Sequence, residues 1–263
     1  MIEPPRGKKR FGQHFLVDQS IINAIIRRFG AGAGTPVIEI GPGAGALTGP
    51  LLDAGVELTA VEIDRDMQAI LLECFGDRAN FTLAAEDILT VDFASLTAGR
   101  IVRVIGNLPY NITSPIIFRL IDNLPRIGDM YFMVQKEVAE RIAAAPGSRD
   151  YGKPSVMVQR LCETGIDLAI PPIAFRPPPR VMSAMLRLRP RAAPLGGDVD
   201  AALFERVVSA AFAQRRKTLR NALKQVAPVE ALADADIDPG RRAETVSVEE
   251  YARLVRRLSE TFS

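Results

Sequence analysis

The sequence predicts an α/β fold: a doubly wound, mostly parallel sheet followed by a small all-helical domain. Three observations predict it. Short apolar runs alternate with amphipathic stretches from residue 37 to residue 134, the pattern of successive βαβ units. Two later apolar runs follow one another without a long helix between them, which places an antiparallel edge on the sheet. Beyond residue 197 no strand is convincing, and apolar residues recur at helical spacing.

Each element follows in order. Asp18 is a good N-cap for an amphipathic helix through Ile21, Ile22, Ile25, Ile26 and Phe29. Val37–Ile40 reads as the first strand, Gly41–Gly45 as a turn, and a helix follows through Leu47, Leu51 and Leu52. Leu58–Val61 is the second strand and ends at Glu62 and Asp64. A helix over about Arg65–Cys74 leads to a third strand near Phe81–Leu83, with Asp87 just beyond it. The fourth strand, Ile101–Gly106, ends at Asn107. Thr113–Asp122 is helical, Met130–Val134 is a strand, and a helix passes through Val138 and Ile142. Ile166–Ile170 and Val181–Leu188 form the edge. Pro190, Pro194, Gly196 and Gly197 mark a linker, which divides the chain into domains 1–190 and 198–263.

Composition excludes several classes. The 263 residues are 48% hydrophobic and 24% charged, enough to bury a sizeable core. No apolar run is long enough to span a bilayer. The start, Met1 to Arg10, is polar and basic, so no membrane partner is expected and the location is expected to be cytoplasmic. Cys74 and Cys162 match no metal or redox spacing, and His14 is the only histidine. No metal site and no serine–histidine–aspartate triad is expected, and the chain is expected to act as a monomer. Net charge is only +2, but its distribution is uneven. Arg176, Arg180, Arg187, Arg189 and Arg191 occupy one acid-free stretch; Arg215, Arg216, Lys217, Arg220 and Lys224 occupy another. That distribution predicts a basic face for nucleic acid.

The chemistry-bearing residues lie at strand ends, where open α/β sheets bind ligands. Gly41, Gly43 and Gly45 let a ligand approach the backbone, and Glu62 lies where a carboxylate can bind ribose hydroxyls. The turn alone does not separate a dinucleotide from S-adenosylmethionine. Glu39 before it gives Glu-x-Gly-x-Gly, which resembles the first motif of class I methyltransferases. Asp87 can accept a hydrogen bond from an adenine amine, or cap a helix. Asn107-Leu108-Pro109-Tyr110 suits a flat base with an exocyclic amine. The Asn107 side-chain oxygen and a backbone carbonyl accept its hydrogens, Pro109 fixes the turn, and Tyr110 stacks on the ring.

These residues together closely resemble the ribosomal RNA adenine dimethyltransferase family of the KsgA type, over nearly the whole length. The likeness runs through Phe11–Leu16, Glu39–Gly45, Glu62–Asp64, Asp87, Asn107–Pro115, Gln135–Ala139, Phe175–Val181 and Phe212–Lys217. His14 departs from it, standing where the family often has Asn. The resemblance implies a Rossmann-like class I methyltransferase domain with a helical RNA- and ribosome-docking domain. It implies S-adenosylmethionine as methyl donor, held by His14, Leu16, Gly41, Gly43, Glu62, Asp87 and Asn107. It also implies two adjacent adenosines near the 3′ end of small-subunit ribosomal RNA as substrate, and the small ribosomal subunit as partner. Phe175 is the candidate for the second face of the base, with a core aromatic as the other reading. Arg180, Arg215, Arg216, Lys217 and Arg220 are candidates for phosphate contacts. The alternatives are an Erm-type enzyme acting on large-subunit RNA, a non-catalytic assembly factor, and an NAD-dependent dehydrogenase.

Overall fold

The computed structural model describes residues 14–261, so Phe11, Gly12 and Gln13 of the opening motif lie outside the described residues. The chain opens with the two-residue strand β1 (Phe15–Leu16) and helix α1 (Gln19–Phe29). The Asp18 carboxylate accepts hydrogen bonds from the Ser20 and Ile21 amides at 2.9 and 3.1 Å, and Gly30 closes the helix at φ 63°. Then come β2 (Pro36–Ile40), α2 (Thr48–Asp53), β3 (Glu57–Val61), α3 (Arg65–Phe75) and β4 (Phe81–Ala84). The short α4 (Phe93–Thr97), β5 (Val102–Asn107), α5 (Thr113–Ile121) and β6 (Ile127–Gln135) complete the alternating run. After it lie α6 (Lys136–Ala143), α7 (Lys153–Leu161), β7 (Cys162–Ile170), β8 (Phe175–Arg176) and β9 (Ser183–Pro190). Helices α8 (Ala201–Ala213), α9 (Leu219–Ala222), α10 (Val229–Asp234) and α11 (Val248–Thr261) follow.

Seven strands form one sheet in the order β4-β3-β2-β5-β6-β9-β7. The pairs from β4 to β6 are parallel, and β6 pairs β9 antiparallel, as the sequence predicts. From β2 the chain builds outward to β3 and β4, then crosses back to place β5 against the other side of β2. The carboxyl ends of β2 and β5 therefore form the switch point, where such sheets hold ligands. Ile40 is in register with Gly106, so Gly41 and Asn107 emerge side by side. A β-carbon on Gly106 would lie 2.3 Å from the Ile40 carbonyl oxygen, and only glycine permits this approach.

The chain divides into two compact units. One holds the residues up to Ala139 together with Gly165–Pro190; the other holds Glu140–Thr164 together with the residues from Arg191 onward. The division at residue 190 coincides with the linker read from sequence. Residues 140–164 depart from that reading, since they fold with the helical unit. The cause is burial: Tyr151 and Val156 sit in one apolar cluster with Phe204, Val208, Leu223, Tyr251 and Leu258. Helix α7 has a start signal in Gly152 and Pro154 but no stop signal, because it runs straight into β7 with no glycine or proline at the junction. The first unit has a separate core of Ile25, Leu51, Leu58, Ile105, Tyr131 and Met185.

Candidate active site

A cavity of about 630 Å3 opens at the switch point, within the range usual for small-molecule sites. Its walls come from β1, the turns after β2 and β3, the segment after β4, and the residues after β5. At its base lies Glu39, 1% exposed, whose Oε2 accepts a hydrogen bond from the Thr48 hydroxyl at 2.7 Å. Burial raises the Glu39 carboxyl to about 8, against the Thr48 hydrogen bond, which pulls it down. Gly41 and Gly43 take φ of 65° and 56°, so the glycines are required by the backbone of the turn.

Glu62 organises that turn. Its Oε2 accepts from the Gly43 amide at 3.2 Å and its Oε1 from the Asp64 amide at 2.8 Å. Burial pushes the carboxyl up, and these two amides pull it down. Each oxygen keeps a lone pair for an entering hydroxyl. Beside Glu62, Ile63 is 51% exposed and lines the cavity, an apolar wall for a flat ring. Asp87 also lines the cavity, and its Oδ1 accepts from the Leu89 amide at 2.9 Å. Asp87 caps no helix: the Leu89 amide it holds belongs to the turn that follows, and α4 is capped by Asp92 instead.

The Asn107 side chain is fixed by an unforeseen partner. Its Nδ2 donates to the His14 backbone carbonyl at 2.9 Å. A carbonyl can only accept, so the amide nitrogen must face it, and among the described residues Oδ1 of this cavity-lining side chain has no hydrogen-bond donor. The Leu108 side chain is buried while its amide donates to the Met133 carbonyl at 3.1 Å. The Pro109 carbonyl accepts from the Thr113 hydroxyl at 3.1 Å and starts α5. The Tyr110 and Ser183 hydroxyls share a 2.6 Å hydrogen bond, and the His14 imidazole stacks on the Tyr110 ring at 5.7 Å between centroids. The His14 Nδ1 lies 2.8 Å from the Pro177 carbonyl oxygen.

The cavity brings together His14, Leu16, Gly41, Gly43, Glu62, Asp87 and Asn107 to Tyr110. Phe175 is the exception. It is 1% exposed, pairs with Leu16 in the short β1–β8 ribbon, and packs in the core with Ala174 and Met185. Its ring lines no part of the cavity, so the expected second stacking face is not met here and the core reading holds. All five basic candidates, Arg180, Arg215, Arg216, Lys217 and Arg220, are exposed. Arg215 is committed within its unit, to the Arg149 carbonyl and to Glu244 at 3.7 Å. Ile63 was missed as a cavity residue, and Thr48 and Ser183 were missed as hydrogen-bond partners of the cavity-lining Glu39 and Tyr110. Only Ile63 had a local signal, an isoleucine between two strand-ending carboxylates.

The sheet order and the turn at its switch point define the class: this is a Rossmann-like methyltransferase. The chain resembles the crystal structure of the 23S rRNA methyltransferase ErmE, with TM-score 0.71 and 29% identity over 93% of this chain and 99% of that one. It shares its fold with a dimethyladenosine transferase from Plasmodium falciparum, with TM-score 0.82 and 24% identity over 95% and 98% of the two chains. A sequence model of the family described as ribosomal RNA adenine dimethylase matches residues 5–260, and the chain belongs to that family. Ribosomal RNA small subunit methyltransferase A of Thiobacillus denitrificans is 49% identical, over 96% of this chain and 98% of that protein. The protein of the same name from Pseudomonas aeruginosa is 48% identical, over 97% and 96%.

Proposed function

We propose that this chain dimethylates the exocyclic 6-amino groups of two adjacent adenosines in the 3′-terminal hairpin loop of small-subunit ribosomal RNA. The observation that carries the reading is the amide of Asn107, held by its nitrogen so that its oxygen meets the cavity beside the glycine turn. The relatives named for the small subunit, alike over nearly their full length, support the choice of subunit.

S-adenosylmethionine supplies an activated methyl group on a sulfonium. The residues present fit it. The glycine turn admits a ligand against its backbone, Glu62 has lone pairs for ribose hydroxyls, and Asp87 has an oxygen for an adenine amine beside the Ile63 wall. His14 and Leu16 close the cavity from β1.

An adenine amine is a weak nucleophile because its lone pair is delocalised into the ring. Asn107 Oδ1 and the Leu108 carbonyl accept its two hydrogens, which favours a pyramidal nitrogen with its lone pair directed at the methyl. Their dipoles stabilise the positive charge that develops there. Tyr110 stacks on the base after it leaves the RNA strand, and Pro109 keeps the turn in place. Alignment is the chain's main contribution.

Arg180 on the first unit and Arg216, Lys217 and Arg220 on the helical unit contact RNA phosphates. The helical unit docks on the small subunit. One chain holds the whole cavity, in keeping with a monomer working in the cytoplasm. Among the described residues no helix is long and apolar enough to cross a membrane.

The likeness to ErmE supports a second reading, methylation of large-subunit RNA. Incubating the chain with S-adenosylmethionine and purified small or large subunits, then mapping dimethyladenosine by mass spectrometry, separates the two. Labelling confined to the 3′-terminal loop of the small subunit is expected. Labelling confined to the large subunit would overturn the proposal.

A further inference from the structure

Ser183 is the first residue of β9 and is fully buried. It pairs in register with Gln135 of the neighbouring β6. Both strands belong to the sheet of the first unit, so the Ser183 hydroxyl is a fixed point beside Tyr110, which lines the cavity. It meets the Tyr110 hydroxyl at 2.6 Å. Tyr110 itself lies on the irregular segment between β5 and α5, where the backbone constrains a ring less than a strand does. Burial pushes the Tyr110 hydroxyl above its ordinary value, so it stays protonated and bonded.

The ring has a second tether. His14 stacks against it, the planes 28° apart, and the imidazole is anchored to the Pro177 carbonyl. With one face covered by His14 and the phenol tip pinned by Ser183, the ring cannot swing about either side-chain torsion without breaking a contact. Among the described residues no second ring stacks on Tyr110, and its opposite face is the one we assign to a base.

From this geometry we infer that Ser183 is a positioning residue for the target base, acting through the Tyr110 hydroxyl to set the tilt of the ring on which the base stacks. The inference rests on the reading of Tyr110 as the stacking platform. It gives the segment after Phe175 a role in base placement that Phe175, packed in the core, does not fill. The methyl must reach the same nitrogen twice, and the second transfer must accept a bulkier amine. A loosened ring should therefore slow the second transfer more than the first.

The test compares Ser183→Ala, Tyr110→Phe, the double variant and Tyr110→Ala in the full chain, acting on small subunits. It measures kcat, KM for the subunit, the ratio of monomethyl to dimethyl product, S-adenosylhomocysteine affinity and melting temperature. Ser183→Ala and Tyr110→Phe are each expected to lower kcat by about five- to tenfold, the scale of one lost hydrogen bond. Both should raise the monomethyl fraction and leave KM and S-adenosylhomocysteine affinity unchanged. The double variant should be no slower than either single one, since both remove the same bond. Additive losses, or full kcat and full dimethylation in Tyr110→Phe, would overturn the role of Ser183. Tyr110→Phe carries the test alone if Ser183→Ala does not fold, because it removes the same bond without changing the strand. Tyr110→Ala separates the two claims: full activity there sinks the stacking platform itself, whereas loss of activity there with normal Ser183→Ala sinks only the positioning role.

Discussion

Asn107 can offer its oxygen to an amine because its nitrogen is already engaged by the His14 carbonyl. Asn107→Ala should lower kcat by about 10²–10³-fold, the scale of losing one preorganised partner of the developing charge. Subunit affinity should hold, and a parallel fall in affinity would contradict the assigned role. Glu39 carries a different expectation. Its carboxyl sits at about 8 in the folded chain against an ordinary 4.5, so the folded chain keeps a proton that the unfolded chain releases. Its favourable contribution is complete below the ordinary value and is lost as pH rises toward 8. Glu39→Gln keeps an acceptor for Thr48 and has no proton to lose. Its stability relative to the parent chain should improve between pH 5 and pH 8, by about 1.4 kcal/mol for each pH unit in which only the folded parent stays protonated. Parallel melting curves across that range would refute this. At this scale the sequence was informative where a cavity-lining residue follows a strand. Glu62, Asp87 and Asn107 all had that signal. Ser183 had none, because a serine starting an inner strand shows nothing of a tyrosine 73 positions earlier in the chain.

The parallel strands were legible because each is a short apolar run bounded by turn residues. Their ends still moved: β6 extends to Ile127–Gln135, and β7 begins at Cys162 rather than Ile166. Extension by pairing explains the first, since β6 has partners on both sides that carry it past its apolar centre. Among the described residues the two-residue strands β1 and β8 pair only with each other, and they carry no periodicity to detect. The seam between β2 and β5 makes an element-scale prediction. Gly106→Ala puts a methyl group against the Ile40 carbonyl and should destabilise the fold by about 1–3 kcal/mol. It should also lower kcat, because Asn107 is the next residue. Urea unfolding read beside turnover tests this, and an unchanged midpoint would show that the seam yields freely.

For the whole molecule, near-neutral charge conceals exposed cations. Replacing Arg216, Lys217 and Arg220 by alanine should weaken binding to small subunits. It should also reduce the slope of log affinity against log salt by about two to three, at roughly 0.7–0.9 per lost phosphate contact. An unaltered slope would place these residues off the RNA path. Arg215 is left out, since its link to Glu244 makes its loss a matter of stability as well as binding. The proline- and glycine-rich linker falls where the two compact units part after Pro190, but nothing in the sequence marked the membership of residues 140–164. Sequence order argued for the first domain, whereas burial of Tyr151 and Val156 joins them to the second.

That membership governs how the molecule can be cut. A gene fragment starting at residue 198 would encode α8 to α11 yet omit Tyr151 and Val156, leaving a hole where an aromatic ring and a valine belong. A workable fragment would splice 140–164 ahead of 191–263 through a new loop. The matching catalytic fragment would need a short bridge from Ala139 to Gly165.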